Sequence, residues 1–145
     1  MVSEFSRQLG RELARITIPI GRTKVAVDGF YKDENRVTLV EAWAHVGRAK
    51  SAQRHKVLGD VLKLALVTSV LRRSDATVKV DSYILFVDGA AANVLSGNGW
   101  ASLAAEEFGI STKVVRLSDE VMETIKEAQG RQDIRNADPC DEEST

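Results

Sequence analysis

At 145 residues the chain is long enough for one hydrophobic core and too short for two comfortable domains, with 43% hydrophobic and 28% charged residues, as in ordinary globular proteins. No apolar run approaches the roughly 18 residues of a membrane span. The opening MVSEFSRQLGRELARI mixes acids with bases, so no secretory signal is expected and the cytoplasm is the expected location. The net charge of -1 conceals an asymmetry: residues 1–73 hold 14 Lys/Arg against 7 Asp/Glu, and residues 74–145 hold 6 against 14. A basic half of this kind either faces phosphate or pairs with the acidic half on folding.

Phe5, Leu9, Leu13 and Ile16, three or four apart behind a capping Ser3, predict a first amphipathic helix over 3–15. Pro19 and Gly21 break it. Two β-rich runs, 24–31 and 36–44, flank the turn-prone 32–35 and read as a hairpin, the one simple hairpin expected. Residues 50–73 lack proline and space their apolar side chains as one buried helix face. Residues 77–87 are continuously apolar in the middle, as in a strand covered on both faces. Residues 89–108 read as two short helices joined by Gly97-Asn98-Gly99, with Trp100 expected to pack in the core or between helices rather than to serve as a base-stacking platform, and 112–117 as a last strand. Ser118 caps a final helix ending near Gly130. The expected architecture is one α/β domain over 1–130, order α-β-β-α-β-αα-β-α, with a mixed sheet flanked by helices and a disordered acidic tail over 131–145. Cys140 in that tail has no intrachain partner, which excludes a disulfide framework and a cysteine metal site.

The chemistry-bearing residues cluster on the hairpin and the long helix. Asp28 in VDG and Glu41 in LVEAWA lie on adjacent strands, where two carboxylates can converge on one hard cation; the plainer alternative is turn chemistry at Asp28 and a solvent-facing Glu41. The apolar neighbours of Glu41 favour a buried carboxylate, which is costly unless paired or metal-bound. On the helix, Gln53, Lys56, Asp60 and Lys63 share one narrow polar arc, although Lys56 and Asp60 also fit an ordinary surface pair. Arg48, Lys50, Arg54 and His55 crowd the start of the same helix and, with Lys63, are the candidate nucleic-acid contacts. His45 and His55 lack zinc-ligand spacing, and no phosphate-cradling glycine motif is present, which argues against zinc, ATP and NAD.

The succession of a leading helix, VDG, LVEAWA and AQRHKVLGDVLKL resembles the PD-(D/E)xK nuclease superfamily over roughly residues 3–88, and EAWAHVGRAKSAQRHKVLGDVLKL is similar to small bacterial proteins assigned to it. The resemblance implies a restriction-endonuclease-like core. Asp28 and Glu41 match its metal-binding acids, Gln53 its helix glutamine, and the implied cofactor is Mg²⁺ or Mn²⁺. Trp43 stands where the motif lysine is expected. Some members carry that lysine on the following helix, which makes Lys56 the first candidate and Lys50 the second, to orient water or stabilise charge on phosphate. Glu4 or Glu12 is a candidate outer acid by the same resemblance, although both also read as surface residues. The implied activity is a metal-dependent nuclease acting on nucleic-acid phosphodiesters, DNA first. The alternative is a degenerate, non-catalytic member that binds nucleic acid or a protein partner. The resemblance implies a homodimer, and a minimal core with no added DNA-recognition domain is also the expected form of a subunit of a larger complex.

Overall fold

In the computed structural model, which describes residues 1–137, the first helix is shorter than its apolar spacing predicts. Helix α1 (Val2–Leu9) buries Phe5 and stops at Gly10, whose φ of 63° is a left-handed conformation that glycine adopts at little cost. The residues beyond it form β1 (Ala14–Ile20), a strand where a helix break was expected. Ile16, Ile18 and Ile20 are half-buried and alternate with exposed residues, which is the strand period. Pro19 is tolerated because β1 is an edge strand, paired only with β2 (Thr23–Asp33), where a missing N–H need not cost a ladder bond. Both β1–β2 and β2–β3 (Arg36–Trp43) are antiparallel pairs, so there are two hairpins rather than one.

Helix α2 (Ser51–Ser74) then carries the chain to β4 (Lys79–Phe86), which pairs parallel with β3, and β5 (Ile110–Val114) extends the sheet parallel to β4. The five strands lie in sequence order across one mixed sheet, confirming the α/β expectation. Between β4 and β5 come α3 (Gly89–Ala92), a 3₁₀ turn (Asn93–Leu95) and α4 (Trp100–Glu107). Trp100 is 72% exposed, which corrects the expectation that it packs in the core or between helices. Helix α5 (Asp119–Ala137) runs through Gly130 instead of ending there. One mid-helix glycine costs only about 1 kcal/mol, and contacts on both sides of it hold the helix: Gln129 grips the backbone of Val46 through both N–H and C=O, and Asp133 meets Lys50 at 3.1 Å. The rest of the expected tail, 138–145 with Cys140, lies outside the described residues.

Alternation along β3 assigns its two faces. Val37 and Leu39 join Val57, Val61, Leu64 and Val67 of α2 in the main core, with Trp43 packed against it. Val40, on the opposite face, joins Phe5, Leu85 and Val115. Glu41 therefore points toward α2, into a layer otherwise filled by aliphatic and aromatic side chains. Gly29 lets α1 approach the second face, since an added Cβ would lie 3.1 Å from both Val2 Cγ1 and Val40 Cβ. Gly29→Ala is expected to destabilise the fold by about 1–3 kcal/mol, as overpacking does, read as a lower denaturant midpoint. An unchanged midpoint would mean that α1 yields freely.

Candidate functional site

The site begins with an irregularity in β2. Ala14 and Ile16 of β1 pair with Phe30 and Val27 of β2, so two steps on one strand face three on the other, and the extra residue falls at Asp28-Gly29. A bulge re-aims a side chain and ends regular pairing. Here the β2–β3 register runs from Asp33↔Arg36 to Gly29↔Val40 and stops. Where it stops, the Asp28 carboxylate takes over, with Oδ2 accepting the Ala42 N–H at 3.1 Å. Asp28 is thereby fixed beside Glu41.

Glu41 is 4% exposed. Its Oε2 lies 2.8 Å from Lys63 Nζ, and its Oε1 is buried with no hydrogen-bond partner among the described residues. Burial pushes the carboxyl up to about 7; the Lys63 hydrogen bond and charge pull against that, while the negative charges of Asp28 and Asp60 add to it. Asp60, one turn before Lys63 on α2, meets the same ammonium at 3.2 Å, and burial raises its carboxyl as well. Burial disfavours the Lys63 charge, but Glu41 and Asp60 outweigh that and hold the proton above the usual lysine value. Three acids and one lysine from three elements thus share one partly buried pocket of charge. Lys63 also lines a groove of about 470 Å³ with Lys24, Val25, Ala26, Gly59 and Leu62, which opens the cluster to solvent.

The structure sorts the residues expected to act here. Asp28, Glu41 and Lys63 come together; Lys56 is exposed and makes no ion pair with Glu41 among the described residues. Lys63, expected to contact nucleic acid, is the helix lysine that reaches the acid. Residues 56, 60 and 63 share one arc, but only the last two reach the level of Glu41, and sequence spacing does not fix the axial position of α2 against β3. Lys50 is occupied by Asp133. Gln53 accepts the Lys50 N–H at 2.7 Å and so caps α2 instead of joining the acids. Its amide also lies 3.5 Å from His45 Nδ1, and His45 stacks on Trp43 at 4.7 Å. Trp43 packs edge-on against Phe86, filling with an aromatic ring the position expected to hold a lysine. Glu4 pairs with Arg7 on the exposed side of α1, and Glu12 is exposed. Arg48, Arg54 and His55 are exposed around the start of α2.

No group of three or more His, Cys, Asp or Glu side chains is poised to hold a metal among the described residues. The donors fit a cation whose shell the protein only begins. Mg²⁺ commonly takes one or two carboxylates and completes its octahedron with water and substrate phosphate. Asp28 and the unpartnered Glu41 oxygen are hard donors of that kind. No helix among the described residues is long and apolar enough to cross a membrane. No family model, curated protein or solved structure matches the chain, so the functional reading rests on this geometry and on the sequence resemblance.

Proposed function

We propose that the chain is a metal-dependent phosphodiesterase of PD-(D/E)xK type, acting on nucleic acid, in which a lysine supplied by α2 replaces the one missing at position 43. The observation that carries this reading is the 2.8 Å contact of Lys63 Nζ with Glu41 Oε2, beside a second Glu41 oxygen that is buried and unpartnered. A purely structural ion pair would be expected to satisfy both oxygens, because an orphaned buried acceptor costs about 1–3 kcal/mol. Asp28 and Glu41 would hold Mg²⁺ or Mn²⁺. When bound, the ion would polarise a phosphoryl oxygen and lower the pKa of a water nucleophile. Lys63, freed from Glu41, would place its ammonium where charge develops on the phosphate. Asp60 keeps that ammonium protonated and oriented. Arg48, Arg54 and His55 would meet the flanking phosphates.

A second reading follows from Trp43: with an aromatic ring packed against the main core at the motif position, the same charges serve as a structural pair in a non-catalytic module that binds nucleic acid or a protein. Calorimetric titration of Mn²⁺ into the wild type, Asp28→Ala and Glu41→Ala, followed by a cleavage assay, separates the two. The first reading expects binding and metal-dependent cleavage in the wild type and loss of both in each variant. Cleavage retained by both variants, or no ion bound by the wild type with nucleic acid present, would overturn it.

A further inference from the structure

A second site lies on the other flank of α2. Leu58 and the exposed Arg54 and His55 form one wall of a cavity of about 460 Å³, and Asn93, Ser96 and Trp100 stand on the other side. The volume suits one small organic ligand. Two features indicate its chemistry. Trp100 is 72% exposed at the head of α4, although burying its indole would be among the larger apolar gains open to the chain. Among the cavity's lining residues two are basic and none is acidic, within a protein whose net charge is -1. An aromatic face across from an arginine and an imidazole, with Ser and Asn side chains also in the lining, is how proteins hold an unpaired base and its phosphate. A duplex keeps its bases stacked on each other and offers no free face to the indole.

We infer that this cavity binds one unpaired nucleotide of a single strand, its base stacked on Trp100 and its phosphate met by Arg54 and His55. The inference deepens the proposed nucleic-acid reading by naming single-stranded or unstacked substrate as the preferred class. The Asp28, Glu41 and Lys63 cluster meets the opposite side of α2 in helical projection, so the cavity is a contact separate from the metal site.

The test titrates a short fluorescein-labelled oligodeoxythymidine, and a duplex of the same length, into the wild type, Trp100→Ala and Trp100→Phe with chelator present, so that neither metal nor cleavage contributes. The wild type is expected to bind the single strand more tightly than the duplex. Trp100→Ala should weaken single-strand binding about tenfold or more, whereas Trp100→Phe, which keeps an aromatic face, should stay near the wild type. Trp100 is largely outside the core, so the alanine variant should fold normally. Because binding is read without metal, this result stays separate from failure of the metal site. Equal binding by wild type and Trp100→Ala, preference for duplex, or no binding of the single strand would each overturn the inference.

Discussion

Glu41→Gln is expected to make the protein more stable than the wild type at pH 8 and nearly equal to it at pH 5. The sign follows from the direction of the shift. The Glu41 carboxyl rises from its ordinary 4.5 to about 7, so between those values the folded state holds more protons than the unfolded chain. Stability must fall as pH rises through that window and level off above it. A shift of that size corresponds to about 3 kcal/mol. Lys63 is also raised, but its contribution is present throughout this range and is lost only above the lysine range, so it does not offset the slope. Asp60 is raised like Glu41 and adds loss of the same sign near the acid end. Glutamine keeps an oxygen for Lys63 and has no charge to desolvate, and Lys63 retains Asp60 at 3.2 Å. Urea unfolding at the two pH values measures the difference. A variant less stable than the wild type at pH 8 would show that the Glu41–Lys63 pair is a net stabilising contact. The wild-type penalty should shrink when Mn²⁺ is added at pH 8, because a ligand of the native state stabilises it by mass action. The glutamine variant should show little response to the ion.

Much of this was legible in the sequence where a single local signal dominated. The run from Arg36 to Trp43 reads as a strand, and it is buried around Glu41 as its apolar neighbours imply. The long helix and the interior strand after it follow from apolar spacing in the same way. The errors came where two signals competed. Leu13 and Ile16 continue the helical spacing of Phe5 and Leu9, yet Gly10 ends the helix and the isoleucines belong to an alternating edge strand. Pro19 reads as a break in the sequence because an edge position, which tolerates it, is a property of the sheet and not of the segment. Trp100 reads as a packing residue, in the core or between helices, because large aromatics usually pack, and no local feature marks an exposed one. At the site, the placement of Asp28 beside Glu41 follows from spacing, and the burial of Glu41 from its apolar neighbours. Which helix lysine reaches Glu41 does not, because choosing among residues on one helical arc requires the depth at which α2 crosses β3.

That depth makes the lysine assignment open to a direct test. Lys63→Met removes the ammonium and keeps an unbranched side chain that can line the same groove. Breaking a buried pair by removing one partner costs about 3–5 kcal/mol, so the variant should be clearly destabilised at pH 8. It should recover much of that loss near pH 5, where Glu41, its carboxyl freed from the lysine's downward pull, takes up a proton. Mn²⁺ binding should persist or tighten, because a cation no longer competes for the Glu41 oxygen at 2.8 Å. Cleavage should fall about a hundredfold or more, as it does when one group stabilising the transition-state charge is deleted. Lys56→Met is the matched control, because Lys56 is exposed and outside the cluster, and its removal should leave both binding and cleavage near wild type. If Lys56→Met abolished cleavage while Lys63→Met retained it, the catalytic role would belong to Lys56, and the Glu41–Lys63 contact would be structural only. Loss of ion binding in Lys63→Met at pH 6, where the variant should still be folded, would instead make Lys63 a positioning residue for the acids.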